Sequence, residues 1–302
     1  MEAGATRASR LPAVSLGAFR GLTYVALGAL LLIVVSGATV RLTASGLGCE
    51  NWPRCGETFL PEQDFHALVE FGNRVVGFVV GIVTLLVAGA AWRVERLPRW
   101  LVWMATALPF TVLAQGVLGG ITVIFELHPL IVMAHFLLSL AAIAVAVLVV
   151  LGARGLSDGE RPAPGAAALA LAAVPSALVL VVTGALVTAA GPHSGGEEIA
   201  RFGNVLDAVH VHIGATAVFG ITFLAVVVVL AAGQLRTELA LAGGVLTLLL
   251  AQMAIGEVQW RNGLPWGLVL VHVGLATLVW TGVVALAGRL ALRSRRLPLA
   301  LN

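Results

Sequence analysis

The sequence predicts an all-α integral membrane protein whose eight transmembrane helices form two tandem, pseudo-symmetric four-helix bundles. Three observations predict it. The 302 residues are 59% hydrophobic and 11% charged, with a mean hydropathy of +1.01, a composition suited to a bilayer and not to a water-facing surface. Apolar runs long enough to cross the hydrocarbon, roughly 20 residues, recur eight times along the chain. The last four of these runs also repeat the residue pattern of the first four, as tandem membrane bundles do.

The first span, 22–41, follows Arg7, Arg10 and Arg20. It is too long for a secretory h-region and has no small-residue cleavage site in place, so it is expected to remain a helix. Spans at 67–92, 100–124 and 129–152 complete the first half. Residues 153–165, with Gly155, Asp158, Gly159, Pro162, Pro164 and Gly165, then read as a linker. The second half holds spans at 166–190, 206–233, 239–258 and 266–288. The organisation is therefore an N-terminal tail 1–21, a first half 22–152, the linker 153–165, a second half 166–288 and an Arg-rich tail 289–302. An even number of spans puts both termini on one side. The arginines of the tails, together with Arg93, Arg96, Arg99, Arg154, Arg161 and Arg236, share that side against Arg41, Arg54, Arg201 and Arg261 opposite. The positive-inside rule makes it cytoplasmic, in a bacterial cell membrane. The basic balance is thus topological, and no nucleic-acid partner is expected.

Sliding the chain by 137 residues places Ala114, Gln115, Leu118 and Gly119 on Ala251, Gln252, Ile255 and Gly256, and His135 on His272. The same shift carries Glu70 to Asp207, Asn73 to His210 and Gly77 to Gly214. Ser36–Val40 matches Thr183–Val187 at an offset of 147, so the first outer loop holds ten extra residues, among them Cys49 and Cys55.

Histidine inside a span is costly unless it faces the interior and finds a partner or a metal. One imidazole from each of two facing helices is a common grip on haem iron. His210 with His272 makes such a pair, with His212 as the rival to His210; two residues apart on a helix they point about 200° away from each other. In the first half His135 is the strong axial donor, because Asn73 is a poor iron ligand. His66, Glu70 and Asn73 share one helical face, and His66 is a possible second ligand. Glu70 is singled out for chemistry, as a carboxylate that can stabilise developing positive charge or relay a proton. An ion pair with Arg74, four residues on, is its structural alternative. Cys49 and Cys55 lie on the oxidising side, where a disulfide persists, with a stabilising or a redox role. His128 and His193, in outer loops, are expected to be solvated.

The assembled pattern resembles the haem A synthase family. The residues that carry it are Gly37–Thr43, Ser45–Cys49, Trp52–Gly56, Glu70–Arg74, Gln115–Val123 before His135, Gly191–His193, and Gly263–Pro265 leading to His272. The resemblance covers 22–288 and implies an enzyme that oxidises a methyl group of haem O to the formyl group of haem A. It implies haem O, delivered by a haem O synthase, as substrate in the first half and haem b as cofactor in the second. On it, His210 and His272 become haem b ligands, and His135 an axial ligand of the substrate haem, with His66, Asn73 and Arg74 beside it. Glu70 becomes the catalytic carboxylate, stabilising a cationic intermediate during two successive hydroxylations at one carbon. Many members of the family have histidine where this chain has Asn73. An electron donor or acceptor, membrane lipid and a second copy of the chain are the further partners expected. Two other readings compete: a bis-histidine cytochrome b-type electron carrier, which would need two symmetric sites and no Glu70, and a proton-coupled solute transporter, which would bind no haem.

Overall fold

The computed structural model describes residues 12–49, 52–61, 63–155, 164–193, 195–196, 199 and 201–295. Among them are eight helices: α1 (Leu16–Leu42), α2 (Phe65–Ala91), α3 (Arg99–Ile124), α4 (Pro129–Arg154), α5 (Pro164–Ala190), α6 (Val205–Ala232), α7 (Arg236–Arg261) and α8 (Trp266–Arg295). Each is long and apolar enough to cross a bilayer, and the protein is a multi-pass membrane protein. Much of the expected linker, 156–163, lies outside the described residues, as do 1–11 and 296–302 of the tails.

Local chemistry starts these helices. Asp64 caps α2 by accepting from the His66 and Ala67 amides, and Asn204 caps α6 by accepting from those of Leu206 and Asp207. Pro129 opens α4, where its missing N–H costs nothing. Two expected tails are shorter than the sequence reading placed them, because α1 begins at Leu16 and α8 continues to Arg295. Charge inside these extensions is the reason the apolar runs stopped early. Arg20 donates to the Ala153 carbonyl at 3.1 Å, and Arg289 and Arg293 both grip Glu238 of α7, so long cationic stems continue the helix while their heads are satisfied.

In the first half α1, α2, α3 and α4 pack in a closed ring, each against the next and α4 back onto α1. In the second half α5 packs on α6 and on α8, and α7 on α8, while α6 and α7 meet only lightly. Helices α1, α4, α5 and α8 join the halves. There the buried Trp280 of α8 donates its indole N–H to the Leu140 carbonyl of α4 at 2.9 Å. Phe78, Leu85, Phe110, Ile221 and Val228 point outward, the face that lipid requires to be apolar.

The repeat is visible in backbone detail. Leu127 and Leu264, 137 residues apart, both adopt left-handed backbone, at φ of 58° and 60°, just before α4 and α8. Their amides bond back to Thr122 and Gln259 at 2.7 and 2.8 Å, which helps to hold a conformation that costs a non-glycine residue about 1–2 kcal/mol. Leu127 also plugs the outer loops: a Cβ on Gly46 would sit 2.6 Å from its Cδ1, and one on Gly195 3.0 Å from it. Gly46 in turn donates its N–H to the Gly195 carbonyl at 3.0 Å. The cysteine-loop end of the first half is thereby stitched to the α5–α6 loop of the second.

Candidate functional site

Two histidines occupy matched seats. His135 of α4 lies against Gly119 of α3, where a Cβ would come 3.4 Å from its Cε1, and His272 of α8 lies against Gly256 of α7, where the same distance would be 3.0 Å. Glycine lets the ring lie close on the helix at both positions, more tightly at Gly256 than at Gly119. Among the described residues the two Nδ1 atoms are buried without a hydrogen-bond partner of normal geometry, the Gln252 carbonyl being the group nearest the His272 ring, and the Oε1 atoms of Gln115 and Gln252 are buried and unpartnered too. Buried orphan polar atoms cost about 1–3 kcal/mol each, so repeating them at equivalent places marks sites shaped for something other than protein. Gln115 is otherwise used to brace its histidine, donating to the His135 carbonyl at 3.1 Å and to Ser139 Oγ at 2.9 Å.

Across from these seats the halves differ, and here the structure corrects the sequence register. Asn73 of α2 accepts from Ser36 Oγ of α1 at 2.7 Å and stands over Gly37, 3.8 Å from the place of a Cβ. In the second half it is His212, not His210, that takes this position. His212 bonds Thr183 of α5 through Nδ1 at 3.0 Å and stands over Gly184, its Cε1 3.0 Å from the place of a Cβ. His212 also lies within electrostatic reach of His272. His210 is exposed. The register of α2 on α6 is thus 139 residues, against 137 for α3 on α7 and α4 on α8; the two extra residues lie between Asn73 and the start of α3. Chance identity of Gly77 with Gly214, and likeness of Glu70 to Asp207, pulled the sequence alignment by two residues. On a helix that slip turns the side chain to the other face. Asp207 is exposed and is no counterpart of Glu70.

Glu70 and Arg74 are committed to the cysteine loop. Cys49 and Cys55 form a disulfide, with both residues buried. Glu70, 5% exposed, accepts from the Cys49 amide at 2.8 Å through Oε2 and from Arg74 Nη2 at 2.6 Å through Oε1. Arg74 also donates to the carbonyls of Cys49, Pro53 and Arg54 at 3.3, 3.3 and 2.9 Å. All four terminal N–H groups of its guanidinium are spoken for, which leaves only Nε–H for any other group. The ion pair that the sequence offered as the alternative role of Glu70 is present, and the Gly48 amide also approaches the carboxylate. His66, in the first turn of α2, is exposed and bonds Ser45 Oγ through Nδ1 at 3.0 Å, so it too faces the loop. Two close approaches finish the loop's seating. A Cβ on Gly48 would run into the His66 backbone, and one on Gly120 of α3 would lie 2.7 Å from the Trp52 indole. Trp52 therefore covers α3 one residue along from the His135 seat.

The sequence reading missed Gly119, Gly256, Gly184, Ser36 and Thr183 as parts of these seats. Small-residue motifs were visible, but they are ordinary in packed membrane helices, and only geometry tells a glycine under an imidazole from one under a helix. His193 is not simply solvated, since its Nε2 donates to the Leu264 carbonyl at 2.7 Å. His128 is exposed at the start of α4.

Comparison with known proteins places these features. The chain is 36% identical over 147 residues to the heme A synthase of Symbiobacterium thermophilum, a match covering 48% of this chain and 47% of that protein. It is 32% identical over 139 residues to the heme A synthase of Bacillus pumilus, covering 44% of each. It is 34% identical over 121 residues to that of Shouchella clausii, covering 39% of this chain and 40% of the relative. The chain thus spans somewhat under half the length of the curated relatives it matches. A family model covers far more of it: residues 20–284 match that of the cytochrome oxidase assembly protein family (COX15-CtaA), and the chain belongs to that family.

Proposed function

We propose that the protein is a haem A synthase, oxidising the methyl group of haem O to the formyl group of haem A for terminal cytochrome oxidase biogenesis. The observation that carries the proposal is the pair of repeat-related histidine seats with orphaned Nδ1 atoms, His135 on Gly119 and His272 on Gly256, in a chain of this family. The second half has an imidazole on each of two helices, His212 and His272, and this donor set fits a resident haem b held by two neutral nitrogens. When bound, that haem supplies one-electron redox chemistry beside the first half. Its seats are made by Gly184, Gly256 and Thr183, which fix the two rings.

The first half would take the substrate haem, with His135 as the strong donor to its iron and Asn73 in the place that His212 has in the second half. Conversion of a methyl to a formyl group removes four electrons from one carbon, through an alcohol and a geminal diol that loses water. Glu70 is the proposed catalytic carboxylate. Arg74 and the Cys49 amide orient the carboxylate on two fixed donors, and a carboxylate so held can stabilise positive charge developing at that carbon. The disulfide loop, with Trp52 on Gly120, then serves to position Glu70 and to cover the site. The cysteine-loop end faces outside and both termini the cytoplasm of a bacterium, as the arginine distribution supports. An electron acceptor in the membrane and a haem O synthase are the partners this chemistry requires.

The test is to co-produce the chain with a haem O synthase in a host that makes no haem A, then extract the haems and weigh them by mass spectrometry. Haem A is the expected product. Haem O accumulating unchanged, with the protein folded in the membrane, refutes the proposal.

A further inference from the structure

We propose that Arg41 and Arg201 together form a carboxylate-binding site at the cysteine-loop end, which receives the propionate groups of the porphyrin bound in the first half. The inference rests on the haem reading above and goes beyond it, in naming residues that recognise the substrate's acidic edge.

Arg41 closes the last turn of α1, half-buried, with its Cγ 3.5 Å from the place of a Cβ on Gly195 of the α5–α6 loop. The four ion pairs among the described residues engage Arg74, Arg261, Arg289 and Arg293, not Arg41. No hydrogen bond to its guanidinium occurs among the described residues either. The charged neighbour it does meet is of the same sign: Arg201, arriving from the second half, lies within electrostatic reach. One arm of Arg201 is fixed on the Pro192 carbonyl at 2.7 Å, and the residue is otherwise exposed. Two neighbouring guanidiniums with no carboxylate paired to them among the described residues are an unfavourable arrangement that an anion reverses.

Position decides which anion. Gly37 lies beneath Asn73, which takes in the first half the place that His212 over Gly184 takes in the second, and Arg41 is four residues further along the same face of α1. That is about 6 Å toward the loop end, at 1.5 Å per residue, on the side where the acidic edge of a porphyrin gripped at the level of Asn73 would lie. Arg74, the other cation nearby, has its terminal N–H groups taken by the cysteine loop. At the offset of 147 residues the counterpart of Arg41 in α5 is Thr188, so the feature belongs to the half with the exchangeable haem.

The experiment titrates purified holoprotein with haem O and with its propionate dimethyl ester, following the Soret absorbance, in wild type, Arg41→Gln, Arg41→Lys and Arg201→Gln. Wild type is expected to bind the free acid about tenfold to a hundredfold tighter than the ester, the range for charge-assisted hydrogen bonds to a carboxylate. Arg41→Gln and Arg201→Gln each remove about tenfold of that preference and leave ester affinity unchanged, while Arg41→Lys keeps most of it. The exposed Arg201 position guards against a folding defect. Equal binding of acid and ester by wild type, the result expected if neighbouring Glu197 or Glu198 occupies the two guanidiniums, overturns the proposal. So does an Arg201→Gln variant that loses affinity for both forms alike. Binding of neither form by wild type would sink the haem O reading itself and this site with it.

Discussion

Arg74→Gln is the substitution that most directly tests how the cysteine loop is held. The sulfurs of Cys49 and Cys55 are shielded, these residues being 0% and 3% exposed, so a reductant reaches the disulfide only when the loop opens. Arg74 fastens that loop by three backbone carbonyls and holds Glu70, which accepts the Cys49 amide. A hydrogen bond to a charged donor contributes about 1.5–3 kcal/mol. The contacts of a single guanidinium do not add, and Arg74's side chain is 21% exposed, which lowers the figure further. A loss of about 2–3 kcal/mol in loop closure is a fair net value, equivalent to roughly 30- to 150-fold more frequent opening, since about 1.4 kcal/mol is a factor of ten. The assay is the rate at which dithiothreitol reduces the disulfide in detergent-solubilised protein, read by alkylation and mass shift. Local opening governs such a rate when reclosing is fast, so reduction should accelerate by that factor. A rate within about threefold of wild type would show that Arg74 does not restrain the loop, and the argument that it positions Glu70 would fall.

The other expectations concern neighbouring parts. Glu70→Gln keeps an acceptor for the Cys49 amide, so it should raise the reduction rate only about tenfold, yet cut haem A formation by about a hundredfold or more, the scale of losing one preorganised electrostatic group; equal effects on both readouts would make Glu70 a loop anchor alone. Gly120→Ala puts a methyl 2.7 Å from the Trp52 indole, and overpacking of this kind costs about 1–3 kcal/mol, visible as faster disulfide reduction. His212→Ala should remove the haem b absorbance from purified protein while His210→Ala leaves it, with haem-to-protein ratio as the measure. Glu238, 1% exposed, holds Arg289 and Arg293; Glu238→Ala leaves two cations in a tight helix contact, and about 3–5 kcal/mol of stability should be lost in unfolding by a denaturing detergent.

The helices were legible in the sequence because length and apolarity alone decide a span. The histidine seats of α4 and α8 were legible because one register carries Gly119, Gln115 and His135 onto Gly256, Gln252 and His272 together. What the sequence hid lies where that register breaks. Two inserted residues near the α2–α3 connection move the match of Asn73 from His210 to His212, and identity scores cannot see the break because Gly214 happens to fall opposite Gly77. The contacts that reveal it, Ser36 on Asn73 and Thr183 on His212, join neighbouring helices across separations of 37 and 29 residues, beyond the reach of helical periodicity. Of the four acceptors of Arg74 only Glu70 was legible in the sequence, because the other three are main-chain carbonyls, which carry no residue signature.

The substitution at position 73 acquires a physical sense once His212 is its counterpart. On the proposed function, His212 and His272 would hold a haem b through two strong bonds, which suits a group that never leaves. A substrate must enter and its product must depart, and a second such bond would oppose both. Asn73 keeps the polar contact to α1 through Ser36, so the helix pair stays packed while a strong iron ligand is absent from that side. On the proposed function the first half must recover by other means the orientation it forgoes at the iron. The cysteine loop pinned by Arg74, with Trp52 on Gly120, would supply a cover, and Arg41 and Arg201, which form no ion pair among the described residues, would supply a charge grip on the acidic edge. None of these has a counterpart in the second half's matching positions: with α2 set on α6 in the corrected register the loop is eight residues longer in the first, and Thr188 stands where Arg41 would be. Restoring the missing ligand tests this division of labour. Asn73→His should raise the retention of haem O through detergent washing and slow release of haem A, with little change in haem b content. Faster turnover with unchanged haem O retention would refute the claim that Asn73 favours exchange.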